Sequence, residues 1–188
     1  MSKEITIHVP DGKRAEWING ILTLVDEQKV DNRPVTERIK TFEDARKALG
    51  DKHPLVEQYR LTAVAYKGDP MTEDLIAYLK LRIICAALNE GWKPQFTKDE
   101  YRWYPCFRLW TEEELKDKYD EWKVDNKLWL FGGSSNNASD CGFAAASSDF
   151  VWTHSYSYCS ARLAVKSRKL AEYFGKQFID IWADFLFS

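Results

Sequence analysis

Long apolar runs, paired cysteines and catalytic signatures are all missing from this chain of 188 residues. No stretch approaches the roughly 20 apolar residues that a membrane helix needs, so membrane insertion is not expected. The opening MSKEITIHVPDGKRAEW has no apolar core of signal-peptide type. That reads as a protein cytoplasmic at synthesis, with association to a virion left open. Cys85, Cys106, Cys141 and Cys159 are widely spaced and form no CxxC pair, which argues against a zinc site or a disulfide framework. They are expected as free thiols. His8, His53 and His154 stand outside HxxxH or HExxH spacing. Gly132–Ser135 is not followed by a phosphate-loop lysine, and no GxSxG elbow occurs. The expectation is therefore no enzyme, no cofactor and no metal. A formal net charge of -2 supplies no basic field and argues against a dedicated nucleic-acid binder. The basic run Lys166, Arg168, Lys169 reads as a solvated helix start.

Aromatic residues are abundant, with 8 Trp, 9 Tyr and 10 Phe, and most are expected in the core. Glu4–Val9 alternates as a short strand closed by Pro10-Asp11-Gly12. Trp17, Ile21, Leu24 and Val25 fall near helical spacing and predict a helix within Lys13–Gln28. Asp31-Asn32-Arg33-Pro34 is a turn. Thr41 with Asp44 forms an acidic near-capping box before a helix Phe42–Leu49 that stops at Gly50. A second helix is expected over Pro54–Tyr66. The strongest helical pattern is Thr72–Glu90, capped by Thr72 and apolar over most of its circumference. Arg102–Trp110 predicts a strand broken by Pro105, hence an edge or bulged strand. Thr111–Trp122 predicts a helix, with Glu112, Glu113 and Glu114 as its acidic first turn. Leu128–Phe131 and Arg162–Val165 predict strands, and Ser167–Phe187 a closing helix.

Between the last two strands lies a segment of different character. Gly132–Ala161 contains no Lys, Arg, Glu, Gln or Met, and Asp140 and Asp149 are its only charges. Ser, Asn, Gly and Ala mixed with Tyr, Phe and His are what an adaptable recognition surface uses. Rings give contact area at low entropy cost, and small polar groups give adaptable hydrogen bonds.

The tail of this segment, Ser160-Ala161-Arg162-Leu163-Ala164, resembles the strand that closes C-type-lectin-like domains of the formylglycine-generating-enzyme type. The segment itself resembles the variable region of a diversity-generating retroelement target protein. The runs DLIAYLKLRIICAALNEGW, YPCF and GKQFIDIWADF are similar to uncharacterised proteins of gut Bacteroidales and their phages. These retroelements mutate adenines in AAC or AAT codons, which cannot yield Lys, Glu, Gln, Met or Trp. Trp152 is the one residue of these types in the segment and would be a fixed scaffold position. The resemblance implies an α+β, C-type-lectin-like single domain over 1–188, with helices packed on a small antiparallel sheet. Residues 1–131 would be a helical and aromatic scaffold, 132–165 the variable ligand-binding segment, and 166–188 a C-terminal helix.

The functional expectation is a non-enzymatic binding protein, phage- or prophage-encoded, with a macromolecular or glycan ligand; its oligomeric state stays open. The expected contacts are Asn136, Asn137, Asp140, Phe143, Phe150, His154, Tyr156 and Tyr158, with aromatic anchors supplying most of the affinity. Trp129, Trp152 and the Arg162 strand would hold the scaffold. The alternative is a phage accessory protein that sequesters a small nucleotide signal. A Trp/Tyr pocket with Arg102, Arg108 or Arg162 would stack the base and pair with phosphate.

Overall fold

The computed structural model describes residues 7–26, 31–95, 97, 99–110, 112–117, 121, 129–130, 142–151 and 161–188. Contacts divide the chain into two compact units, Met1–Arg33 and Pro34–Ser188.

The first unit is a β-hairpin of strands β1 (Lys13–Ile18) and β2 (Ile21–Asp26), paired antiparallel with Ile18 opposite Ile21 and Lys13 opposite Asp26. The expected helix over Lys13–Gln28 is thus a hairpin. The deciding element is Asn19-Gly20, with φ of 51° and 79°. Positive φ at both central residues is what a two-residue type I′ turn requires, and Asn-Gly supplies it at least cost. Ile7–Val9, the described end of the expected first strand, is irregular, while Asp11-Gly12 turns as expected.

The second unit begins with α1 (Val35–Arg38), α2 (Phe42–Leu49) and α3 (Pro54–Ala65). The capping box on α2 forms as its sequence predicts. Thr41 Oγ1 accepts the Asp44 N–H at 3.1 Å, and Asp44 Oδ2 accepts the Thr41 N–H at 2.9 Å. These bonds hold the Asp44 carboxyl below its usual range. His53 Nδ1 caps α3 by accepting the Leu55 N–H at 3.3 Å, ahead of Pro54 at the first helical position.

Helix α4 (Glu73–Asn89) is the centre of the unit and packs against α2 and α3. Leu81, Ile83, Ile84 and Leu88 are wholly buried, each stabilising by roughly 1.5–3 kcal/mol relative to exposure. Thr72 does not cap α4 with its side chain. Its hydroxyl donates instead to the Asp69 carbonyl at 2.9 Å, within a 3-10 turn over Pro70–Thr72.

A three-stranded antiparallel sheet follows, in the order β3 (Arg102–Trp110), β5 (Gly142–Val151), β4 (Trp129–Leu130). β3 is the edge strand that Pro105 implies. Trp103 directs both its N–H and its C=O outward, to Val165. Pro105, two residues on, faces the same edge, where a missing donor breaks no ladder bond. A short helix α5 (Glu112–Lys116) lies between β3 and β4. Thr111 and most of the expected continuation to Trp122 lie outside the described residues.

The expected closing helix is two helices, α6 (Arg168–Gln177) and α7 (Ile179–Phe187), interrupted at Phe178. Phe178 leaves helical geometry at φ -118°, ψ 34° and is buried edge-to-face against Tyr173 and Phe174. Ring packing overrides an otherwise continuous pattern, weakened by Gly175. α7 packs against α4, and α6 lies against β3 and β5. Phe107 of β3 meets Trp182 of α7 at 5.1 Å between ring centroids. Tyr173 and Gln177 of α6 donate to the carbonyls of Ile39 and Lys40 at 2.7 and 2.8 Å. No helix among the described residues is long and apolar enough to cross a membrane.

Candidate functional site

The segment singled out by composition contains the central strand of the sheet. β5 pairs with β3 along one side and β4 along the other. Of the expected contact residues, Phe143 and Phe150 lie on β5. Asn136, Asn137, Asp140, His154, Tyr156 and Tyr158 lie outside the described residues, as does Trp152.

The register is broken by a bulge. Ser147 pairs with Cys106 and Ala145 with Phe107, leaving Ala146 as the extra residue. The extra residue restores parity between the ends of the strand. Phe150 stands opposite Trp103 and Phe143 opposite Leu109, both in line with Phe107, the residue that reaches Trp182.

The return from the segment is tied down by atoms outside it. The expected strand Arg162–Val165 is a 3-10 turn over Ala161–Leu163 followed by a single antiparallel bridge at Val165. Val165 exchanges two backbone bonds with Trp103, at 3.1 and 2.8 Å. On the other side, Asn89 at the end of α4 stands in for a neighbouring strand. Its Nδ2 donates to the Ala164 carbonyl at 2.9 Å, and its Oδ1 accepts the Lys166 N–H at 3.0 Å. Cys85, one helical turn earlier, also donates to the Ala164 carbonyl, at 3.2 Å. Burial pushes the Cys85 thiol up to about 12, so it acts as a weak donor and not as a nucleophile.

Glu90 completes the clamp. It caps α4 in the left-handed region at φ 49°, which costs a non-glycine residue roughly 1 kcal/mol. Its carboxylate accepts from Lys166 Nζ at 2.8 Å and from Arg38. These two cations hold it below the usual carboxylate range, the Lys166 hydrogen bond most of all. By local chemistry Asn89-Glu90-Gly91 predicts no more than the end of a helix. The signal for more was Asn89 one turn beyond Cys85, a polar residue on an otherwise apolar helix face.

The three arginines of the nucleotide reading do not converge. Arg102 is buried and pairs with Glu100 at 3.5 Å. Arg108, exposed, stacks over Trp110 at 4.1 Å and pairs with Glu114. The two arginines stand six positions apart on β3, about 20 Å of backbone. Arg162 lines a cavity of about 140 Å³ with Arg82 and Trp92, well below the roughly 300–1,000 Å³ of small-molecule sites. Two larger grooves, of about 730 and 700 Å³, lie elsewhere on the second unit. The first is lined largely by charged groups engaged with one another, such as Arg46 with Glu43 and Asp51. Among the described residues, no three His, Cys, Asp or Glu side chains gather as a metal site.

No family model, curated protein or solved structure matches this chain.

Proposed function

We propose that this chain is a non-enzymatic ligand-binding protein, phage- or prophage-encoded, whose residues 132–161 form a changeable recognition surface on a C-type-lectin-like scaffold. The observation that carries the proposal is how the segment is held. The β3–β5 ladder, the Val165 bridge and the Asn89 amide all grip main-chain atoms. The gripping side chains, Asn89 and Cys85, lie outside the segment. Main-chain anchoring is indifferent to the side chains displayed between the anchors, so the segment can vary while its frame stays fixed. Its composition, without Lys, Arg, Glu, Gln or Met, suits such a surface.

In this reading Asn136, Asn137, Asp140, Phe143, Phe150, His154, Tyr156 and Tyr158 are the contacts. The lectin-like scaffold draws support from a small antiparallel sheet with helices against it. Two tests apply. An adenine-rich, near-identical template repeat beside a reverse-transcriptase gene supports the reading; a gene with neither contradicts it. On a printed glycan array and on intact bacterial cells, Tyr156→Ala with Tyr158→Ala abolishes binding at an unchanged melting temperature. A large loss of stability would mark these tyrosines as core.

A further inference from the structure

The hairpin unit exposes apolar side chains that a two-stranded sheet cannot cover. Trp17 is 74% exposed and Ile21 68%, and an isolated hairpin is marginally stable in water. The two-residue turn makes Ile18–Ile21, Glu16–Thr23 and Arg14–Val25 the hydrogen-bonded pairs. The alternate residues Ala15 and Trp17 therefore direct their N–H and C=O groups to the outer edge of β1, which no other strand among the described residues pairs with.

This edge is complementary to itself. We infer that β1 pairs antiparallel with β1 of a second copy, about a two-fold axis at Ala15, giving a four-stranded sheet in the order β2-β1-β1-β2. Each Ala15 then exchanges two main-chain bonds with Ala15 of the other copy, and each Trp17 N–H reaches the Lys13 carbonyl of the other copy. Arg14 falls opposite Glu16 of the second copy, and Glu16 opposite its Arg14, so two cross-strand ion pairs form. Arg14 and Glu16 already lie on one face within a chain, paired at 2.7 Å, so the four charges make one cluster. On the opposite face the Ala15, Trp17, Leu22 and Leu24 stripes of the two copies meet across the axis as one continuous surface, with each Trp17 opposite Lys13 of the other copy.

Other edges and registers lack this match. Centring on Trp17 puts Glu16 opposite Ile18. Pairing through the outer edge of β2, centred on Leu24, puts Leu22 opposite Asp26. The charges on β1, which would protect an edge against most strands, are in this register the specificity element.

Sedimentation equilibrium of the full chain over a dilution series tests the inference, with each variant's melting temperature as the folding control. The wild type is expected to dimerise. R14E alone or E16R alone places like charges across the axis and weakens the dimer by about tenfold or more. The double variant R14E/E16R restores it, and an equimolar mixture of the two single variants forms a heterodimer. A wild type that stays monomeric at its highest soluble concentration overturns the inference. So does a dimer indifferent to both single reversals, or a loss that neither the double variant nor the mixture repairs.

Discussion

The side-chain amide of Asn89 brackets Val165, donating to the carbonyl before it at 2.9 Å and accepting from the N–H after it at 3.0 Å. Val165 spends its own N–H and C=O on Trp103. Three consecutive residues are thus held from both sides, with a helix end on one flank and the sheet edge on the other.

Asn89→Ala removes both bonds, takes the Lys166 N–H from its acceptor and leaves the Ala164 carbonyl with the weaker Cys85 thiol donor, at a cost of about 2–3 kcal/mol. Asn89→Asp discriminates further. Protonated, the carboxyl reproduces the amide, donating to the Ala164 carbonyl and accepting from Lys166. Ionised, it sets an anion against that carbonyl. Its folded pKa is therefore raised, and the variant is near wild-type stability in acid. The deficit grows as pH rises from the unfolded carboxylate value toward the folded one. Denaturant titrations at several pH values check this; a penalty independent of pH contradicts the assigned amide orientation.

Glu90→Gln reports on the second half of the clamp. The folded pKa of Glu90 is lowered by Lys166 and Arg38, so its contribution is fully present above the unfolded carboxylate value, about 4.3. It is lost as pH falls through the folded value. The variant is therefore less stable than wild type at neutral pH and equal to it in strong acid. The Glu90 side chain is 41% exposed, which limits the difference to a fraction of about 1 kcal/mol after screening. High salt should shrink it further, as melting curves at two ionic strengths would show.

Gly20→Ala tests the hairpin turn. A Cβ at Gly20 meets nothing within 4 Å, yet φ there is +79°, so the cost is conformational alone, roughly 1 kcal/mol. Amide hydrogen exchange at Glu16 and Thr23 should accelerate about fivefold. Unchanged exchange would mean that the turn does not take the type I′ form.

That turn also shows what the sequence made legible and what it hid. Thr41 with Asp44, Pro54, Gly50 and Pro105 act through local chemistry, and the elements they predict lie where local chemistry puts them. The helix expected over Lys13–Gln28 weighed Trp17, Ile21, Leu24 and Val25 by spacing and passed over Asn19-Gly20, whose φ requirement is the stronger constraint. The break at Phe178 was not legible, because it follows from rings at Tyr173, Phe174 and Trp182 meeting in three dimensions. Asn89 was visible as a polar residue on an apolar helix face, but its partners lie 75 and 77 residues away. The same holds for the site. Composition marked 132–161, while the bulge at Ala146, which sets the register of β5 against β3, leaves no mark in the local sequence.

The most direct test of the account replaces Asn136, Asn137, Asp140, His154, Tyr156 and Tyr158 with Ser together and compares the melting temperature with that of Asn89→Ala. A frame that grips main chain predicts that the sixfold variant melts within about 3 °C of wild type, whereas Asn89→Ala falls by roughly 4–12 °C. A sixfold variant that loses as much as Asn89→Ala, or more, would contradict it.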